Sequence, residues 1–224
     1  MDFVRRIRAA ADRFTTRLRL VGADPRDDED LRARKALLVM ISALILPIAA
    51  LWGALYLALG SPVGVVPLVY FGILVAAIAV FSRTHDFPWL LRVGQLDILL
   101  APTLSMIPLG GFLASGGVGL WGILAPLGAL VFSDVRSAAR WYVAWLVVFV
   151  GSGIAGEMIG PVWSPLPVGF TSTMLALNIA VGGTIVFTLL AVFAGQRRDA
   201  LAALQDEQAK AENCLLYTSD AADE

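Results

Sequence analysis

Six apolar runs, separated by short polar or glycine- and proline-rich segments, dominate the pattern of this chain. Each run holds about 17 to 25 residues with almost no charge, the length that an α-helix needs to cross the hydrocarbon core of a bilayer. The runs are Ala36–Leu59, Val63–Phe81, Val93–Phe112, Gly117–Ser133, Trp141–Ile159 and Phe170–Ala194. The pattern predicts an all-α integral membrane protein whose domain of residues 36–194 is a six-helix transmembrane bundle. The fourth run is marginal in length unless residues 113–116 belong to it.

The last apolar run continues into a polar helix without an intervening proline. Its composition changes at Gly195, where the sequence becomes GQRRDALAALQDEQ. Leu201, Leu204, Gln208 and Ala211 then follow at the 3-4-3 spacing of a coiled-coil seam. Residues 195–213 are therefore predicted to form a cytoplasmic exit helix that starts a coiled coil. Such a helix could serve as a signalling stalk, or it could be a solvated helical tail.

The final segment, CLLYTSDAADE, resembles a translated sequencing-library adapter. We therefore expect residues 214–224 to be a non-native tail, and the signalling helix of residues 195–213 to be truncated by it. The only cysteine of the chain, Cys214, belongs to this tail. Disulfides and cysteine-based metal sites are consequently excluded for the preceding residues.

Residues 1–35 form a predicted cytoplasmic segment that is basic and amphipathic at its start. Phe3, Ile7, Phe14 and Leu18 share one helical face, and arginines surround it. Such a helix can lie on an anionic membrane surface, or the arginines can merely set topology in a flexible tail. The acidic residues 27–30 favour the start of a new helix, because they complement the positive end of a helix dipole. Arg32, Arg34 and Lys35 are expected at the membrane surface.

The placement of basic residues predicts the orientation of the bundle. All 17 lysines and arginines lie before the first run, in the second and fourth loops, or after the sixth run. Because cytoplasmic loops carry the excess of basic residues, both termini are predicted to be cytoplasmic. The overall composition, 58% hydrophobic with a mean hydropathy of +0.77, agrees with a multi-pass membrane protein.

A few polar residues inside the apolar runs are candidates for a sensing site, since polar groups in a bilayer are rare and costly. Asp97, with Gln95 nearby and Arg92 five residues earlier, is either a proton- or ligand-sensitive acid or a helix-packing contact. Glu157, near the outer end of the fifth run, could bind a cation or a small basic ligand, or it could be a hydrated carboxylate. Asn178 is predicted to form a hydrogen bond across helices.

Small residues at four-residue spacing mark places where helices can approach closely. Ser152, Gly156 and Gly160 are spaced in this way in the fifth run, and Gly182 follows Asn178 in the sixth. The single histidine, His85, excludes a histidine-rich metal site within one chain. Phosphate-binding motifs are missing too. We expect no catalytic residue, no cofactor site, no metal site and no nucleic-acid partner for this part of the protein.

Three features carry a family resemblance: the run DPRDDED before LRARK at residues 24–35, the six apolar runs, and the exit segment EQAKAEN at residues 207–213. Together they resemble the six-transmembrane N-terminal anchor of bacterial class III adenylate/guanylate cyclases. The resemblance implies a homodimer in the bacterial plasma membrane. It also implies a cytoplasmic cyclase domain beyond the exit helix, using Mg²⁺ or Mn²⁺ with ATP or GTP. Six-span anchors also precede histidine kinases and diguanylate cyclases.

Three functions stay open at this point. The chain could be the anchor or sensor module of a signalling enzyme, most simply a class III cyclase, that responds to an unknown ligand. In that case residues 1–213 should have no enzyme activity of their own. The chain could instead be a small transporter or channel-like protein with Asp97, Glu157 and Asn178 in its path. It could also be a purely structural anchor whose partner is the lipid bilayer.

Overall fold

The computed structural model describes residues 18, 20–163 and 166–220, and every regular element in these ranges is helical. The predicted all-α fold is confirmed for these ranges. The predicted amphipathic segment of residues 1–17 lies outside them, as do residues 164–165 and 221–224. In the last helix, the side chains of residues 189, 192, 193, 196, 199 and 209, and those from Ala211 onward, also lie outside the described part of the chain.

The described helices pack mostly against their neighbours in the chain, and α3 lies at the centre, in contact with α1, α2, α5, α6 and the second 3-10 helix. The order is α1 (Glu29–Ala58), a first 3-10 helix (Pro62–Gly64), α2 (Val65–Thr84), α3 (Phe87–Leu104), α4 (Met106–Leu109), a second 3-10 helix (Val118–Ile123), α5 (Leu124–Phe132), α6 (Val135–Ile159) and α7 (Val168–Asp220).

Five helical segments of the described chain are long and apolar enough to cross a membrane. They are Glu29–Ala58, Pro62–Thr84, Phe87–Leu109, Val135–Ile159 and Val168–Thr188. Each matches a predicted run, although α1 begins at Glu29, seven residues before the predicted start of the first span. These helices indicate a membrane protein.

The fourth predicted span is shorter than the other five. Gly116 and Gly117 adopt positive φ angles of 63° and 70°, so residues 113–117 form turns outside the helix. The apolar helical segment that follows, Val118–Phe132, starts as a 3-10 helix and ends as the short α5. With rises of about 2.0 Å and 1.5 Å per residue for the two forms, this segment is roughly 25 Å long.

Three helices begin at an aspartate that caps the helix N-terminus. The side chains of Asp28, Asp86 and Asp134 accept hydrogen bonds from the backbone N–H of the residue three positions later, at 2.7, 3.0 and 2.9 Å. These bonds satisfy N–H groups that have no partner within the helix. The prediction that acidic residues near position 28 start a new helix is confirmed.

One apolar cluster gathers the starts of α1 and α3 with the ends of α2 and α5, which fixes these four ends at the same side of the bundle. Its buried members are Leu38, Val39, Ala77, Phe81, Phe87, Leu90, Leu91 and Phe132. Leu18 and Val21 pack against the cluster from the segment that leads into α1, and Leu31 does so from the first turn of α1.

The chain divides into two compact units, residues 1–182 and 183–224. The first unit contains all helices up to and including the start of α7. The second unit consists of the remainder of α7, and its described side chains from Arg197 onward are exposed. Within it, the Lys210 ammonium lies 2.6 Å from the Asp206 carboxylate, one helical turn away.

Candidate functional site

Lys35, in the second turn of α1, forms a buried ion pair with Asp27, which lies just before the helix. The ammonium Nζ donates to both carboxylate oxygens of Asp27 at 2.9 Å, and the two side chains are only 4% and 7% exposed. The backbone N–H of Asp24 donates to the same carboxylate at 2.9 Å. The hydrogen bond from Lys35, followed by that from Asp24, lowers the pKa of the Asp27 carboxyl below its ordinary value.

Phe81, near the end of α2, lies beneath this ion pair. The Lys35 ammonium is 6.0 Å from the centre of the Phe81 ring, within the range of a cation–π contact. Gly22 has a φ of +73°, and a Cβ at that position would collide with the same ring. The turn before α1 is thus packed directly on the bundle. Lys35 was predicted at the membrane surface; its ammonium is buried against Asp27, and its depth relative to a membrane stays a prediction.

Asn178 of α7 joins three other elements through a side-chain amide that is 2% exposed. Its Oδ1 accepts hydrogen bonds from the indole N–H of Trp52 in α1 and of Trp121 in the second 3-10 helix, each at 2.9 Å. Its Nδ2 donates to the carbonyl of Gly116 at 2.8 Å. Both ends of the amide are therefore satisfied, as a buried polar group requires. We call this arrangement the Asn178 node.

Two apolar contacts hold the same stretch of α7. The ring of Phe170 meets the ring of Tyr56 edge-on, with 6.0 Å between their centres. Met174 is buried against Gly116, one turn before Asn178. Among the described side chains of α7, Met174 and Asn178 are the two that are buried. The attachment of α7 within the first unit is therefore concentrated at its first turns.

Gln95 and Asp97 lie on different sides of α3, since two residues of a helix are about 200° apart. Gln95 is buried, and its Nε2 donates to the carbonyl of Ala125 in α5 at 3.3 Å. Asp97 is half-buried, and its Oδ2 is buried without a hydrogen-bond partner in the described part of the chain. Arg92 and Asp97 form no ion pair in the described part of the chain, and the Nε of Arg92 donates to the carbonyl of Pro88 at 3.1 Å.

Asp97 lies in an open groove between α2 and α3. The groove has a volume of about 530 Å³ and is otherwise lined by apolar side chains, Tyr70 and Ser105. Several of its walls are well exposed: Val69, Ile73, Leu96, Leu100 and Leu104. We call this space the Asp97 groove. A carboxylate in apolar surroundings can hold a cation or a hydrogen-bond donor.

A smaller apolar cavity of about 60 Å³ lies next to the groove, between α1, α2, α3 and the second 3-10 helix. The two spaces share four lining residues: Val66, Tyr70, Ala101 and Ser105. Trp52 and Trp121, which donate to Asn178, line the cavity on the other side. Tyr56 also lines it, and the Tyr56 hydroxyl is buried without a hydrogen-bond partner in the described residues. One layer of side chains therefore connects the Asp97 groove to the Asn178 node.

The remaining candidates from the sequence, in α6 and α7, do not line the Asp97 groove and do not bond to Asn178. Glu157 is exposed, and its side chain packs beside Gly111. Ser152 and Gly156 are buried within the chain, and a Cβ on Gly156 would lie 2.5 Å from the backbone nitrogen of Gly111. By contrast, a Cβ built on Gly160 or Gly182 would have no atom of another described segment within 4 Å.

The predicted seam of the exit helix is exposed in the second unit. Leu201 and Leu204 are 51% and 56% exposed, and Gln208 is exposed as well. The side chain of Ala211 lies outside the described residues.

Sequence reasoning found Asn178, Gln95 and Asp97 because each interrupts an apolar run. It missed Lys35, Gly22, Trp52 and Trp121. Their roles arise from contacts between segments that are distant in sequence. In addition, a tryptophan in the sequence of a membrane protein is most simply interpreted as a lipid-facing or interfacial residue.

No group of three His, Cys, Asp or Glu side chains that could hold a metal ion occurs in the part of the chain that the structure describes. No protein-family model, curated protein or solved structure matches the chain.

Proposed function

We propose that the chain is the membrane anchor and sensor module of a membrane-bound signalling enzyme. A class III adenylate/guanylate cyclase is the leading output, on the family resemblance carried by residues 24–35 and 207–213. The catalytic domain would follow the exit helix and use Mg²⁺ or Mn²⁺ with ATP or GTP. The alternatives are a histidine kinase or diguanylate cyclase output, or a small transporter.

The observation that carries this proposal is the Asn178 node. It ties the first turns of α7 to α1 and to the second 3-10 helix through three hydrogen bonds. The same helix, farther along, contains the polar residues from Gln196 to Asn213. A sensor needs one element that both contacts the membrane domain and leads into the output domain, and we propose that α7 is this element. A rearrangement that breaks the node would release the first turns of this helix.

The proposed topology has six passes, with both termini in the cytoplasm of a bacterium and the bundle in the plasma membrane. Five passes would be the membrane-length helices, and the shorter segment Val118–Phe132 would be the fourth pass. Its length of roughly 25 Å falls only a little short of a hydrocarbon core of about 30 Å, and membranes thin locally around short helices. The absence of basic residues from three alternate loops supports this arrangement.

The proposed active form is a homodimer, because cyclases of this family form their active sites between two chains. Leu201 and Leu204 are exposed on the exit helix and offer an apolar stripe to a second copy. The stripe is short, so contacts between the membrane domains would have to contribute to the dimer.

The gene downstream of the Asn213 codon tests the proposal. A cyclase domain there, with cyclic AMP or cyclic GMP made by membranes that contain the parent protein, would support it. In that parent, Asn178→Leu should change cyclic nucleotide output, whereas Leu177→Ala, at an exposed neighbouring position, should not. A kinase or diguanylate cyclase domain at that place would mean that the output is this enzyme and not a class III cyclase. A stop codon near Asn213 would refute the signalling role and favour the transporter.

A further inference from the structure

The Asp97 groove has the features of a ligand-binding site rather than those of a packing contact between helices. It is open along one side, and the exposed apolar residues Val69, Ile73, Leu100 and Leu104 form much of its walls. Its volume of about 530 Å³ falls within the range of about 300–1,000 Å³ that is usual for small-molecule sites. The described groove contains one carboxylate, that of Asp97.

One carboxylate oxygen of Asp97 has no hydrogen-bond partner in the described part of the chain. Its Oδ2 is buried without a hydrogen bond, which is costly in apolar surroundings. Two donors close to Asp97 in sequence bond elsewhere, and the Tyr70 hydroxyl lines the same groove. The Nε of Arg92 bonds to Pro88, and the amide of Gln95 bonds to the carbonyl of Ala125. A donor from outside the chain would satisfy this oxygen.

The two ends of the groove differ, because its carboxylate lies toward one of them. Along α3 it extends from Val93, just after the exposed Arg92, past Asp97 to Leu104. Asp97 lies about 7 to 8 Å from Arg92 along the helix axis, whereas Leu104 lies about 18 Å from it. On α2, which runs antiparallel to α3, Ile73 lies nearer the Arg92 end than Val66 does. The acid therefore lies near one end of the groove, and the walls beyond it are apolar apart from Tyr70 and Ser105.

We propose that this groove binds a long-chain primary alkylamine from the bilayer. Its ammonium group donates to Asp97, and its alkyl chain lies between α2 and α3 toward Leu104. A primary ammonium suits the site for two reasons: it neutralises the carboxylate, and it has N–H groups to satisfy the buried oxygen. The ammonium group can also reach this depth, because a charged head on an alkyl chain lies close to the interface while the chain stays in the hydrocarbon. The proposal depends on a membrane location and not on the signalling role.

Photoaffinity labelling of the full chain in phosphatidylcholine nanodiscs tests this site. The probe is dodecylamine with a diazirine in its chain, and the labelled residues are mapped by mass spectrometry. We expect saturable labelling of α2 and α3 side chains that line the groove, such as Ile73 and Leu100. Excess dodecylamine should compete with the probe. Three analogues should compete poorly. Dodecanol lacks the charge, dodecanoate has the opposite charge, and dodecyltrimethylammonium lacks an N–H donor.

Variants decide whether Asp97 is the recognition group. Asp97→Asn should reduce saturable labelling about tenfold or more, the usual effect of losing a hydrogen bond to a charged group. Glu157→Gln removes an exposed carboxylate of α6 and should leave labelling unchanged. Leu100→Trp should obstruct the groove while keeping the carboxylate. It serves as the deciding variant if Asp97→Asn does not give a monodisperse protein.

Three results would overturn the proposal. One is saturable labelling of the Asp97→Asn variant that equals that of the Glu157→Gln variant. Where Leu100→Trp is the deciding variant, the corresponding result is labelling equal to that of the unaltered chain. A second is competition by dodecanol or dodecyltrimethylammonium as strong as by dodecylamine. The third is labelling that is spread over the other helices or does not saturate. None of these readouts requires an output domain, so failure of the alkylamine site is distinguishable from failure of the proposed signalling function.

Discussion

Lys35 donates to both carboxylate oxygens of Asp27 at 2.9 Å, although the two are eight positions apart and the first turn of α1 lies between them. Both side chains are more than nine-tenths buried, so neither charge is satisfied by bulk water. The pair fixes the turn of residues 21–28 onto the end of the bundle. Removing one partner would leave a buried charge without compensation, which destabilises more than removing both.

The ion pair predicts a specific loss of stability in acid. The pKa of Asp27 is lowered from its ordinary value of 3.8, so the folded protein binds a proton at this carboxyl less readily than the unfolded chain does. The stabilisation is therefore fully present above about pH 4 and is lost as the pH falls through the lowered pKa. Thermal unfolding of the purified chain, followed by tryptophan fluorescence from pH 7 to pH 3, measures this. The difference between the unaltered chain and Asp27→Asn should be constant above pH 5 and shrink below pH 4. A difference that does not change with pH would contradict the assignment.

The Asn178 node predicts a large and non-additive cost of mutation. Asn178→Leu leaves two indole N–H groups and the Gly116 carbonyl without a partner. We expect a loss of about 2–4 kcal/mol, since each unsatisfied group costs about 1–3 kcal/mol in proteins and somewhat less in membrane bundles. Unfolding in mixed micelles of increasing SDS fraction measures the loss, and Leu177→Ala is the control at an exposed site. In a background of Trp52→Phe and Trp121→Phe, the same substitution should cost less, because the donors are gone. Equal costs in both backgrounds would contradict the node.

Much of this fold follows from patterns that are local in sequence. Runs of apolar residues predicted where the five membrane-length helices lie, and the acidic residues near position 28 predicted a helix start. The apolar run itself begins at Ala36, seven residues after the start of α1 at Glu29. Residues 29–35 are mostly charged, yet they belong to the same helix, because helix formation depends on capping and backbone geometry as well as on hydropathy.

The candidate site was only partly predictable, because hydropathy does not fix which face of one helix meets which face of another. Asn178 was recognisable as a polar residue in an apolar run, but its two tryptophan donors lie 126 and 57 residues away. Likewise, the composition of Gly117–Ser133 does not reveal that positive φ angles at Gly116 and Gly117 delay the helix. These features depend on tertiary contacts and backbone conformation.

Two glycines on one helix provide a matched test of close packing. A Cβ on Gly156 would lie 2.5 Å from the nitrogen of Gly111 and 2.6 Å from the carbonyl oxygen of Met106, and backbone atoms cannot move aside easily. A Cβ on Gly151, in the same helix, would meet no atom within 4 Å. Gly156→Ala should therefore destabilise the chain by about 1–3 kcal/mol, the usual cost of overpacking. Gly151→Ala should be neutral or slightly stabilising, since alanine favours helices. Equal unfolding midpoints for the two variants would contradict this packing.

Cysteine labelling in intact cells tests the proposed six passes, and the short segment Val118–Phe132 is the critical one. Leu113 and Val135 lie on either side of it and are 75% and 72% exposed. In a Cys214→Ser background, Leu113→Cys should react with a membrane-impermeant maleimide, whereas Val135→Cys should react only after lysis. Val162→Cys and Thr84→Cys serve as controls for the outer and inner sides. If residues 113 and 135 are labelled alike, the segment does not cross and the six-pass proposal fails.

The exit helix gives the prediction that rests most directly on the proposed signalling role. A rigid helix passes on rotation or tilt only if its phase is kept, and one residue turns an α-helix by about 100°. Leu201 and Leu204 are exposed and would face a second copy of the chain, so their phase should matter. Inserting one alanine after Ala203 in the parent protein should strongly change cyclic nucleotide production in membranes at matched expression. Inserting seven residues restores the heptad phase and should recover much of the original output. If insertions of one and of seven residues have the same effect, the helix is a passive tether.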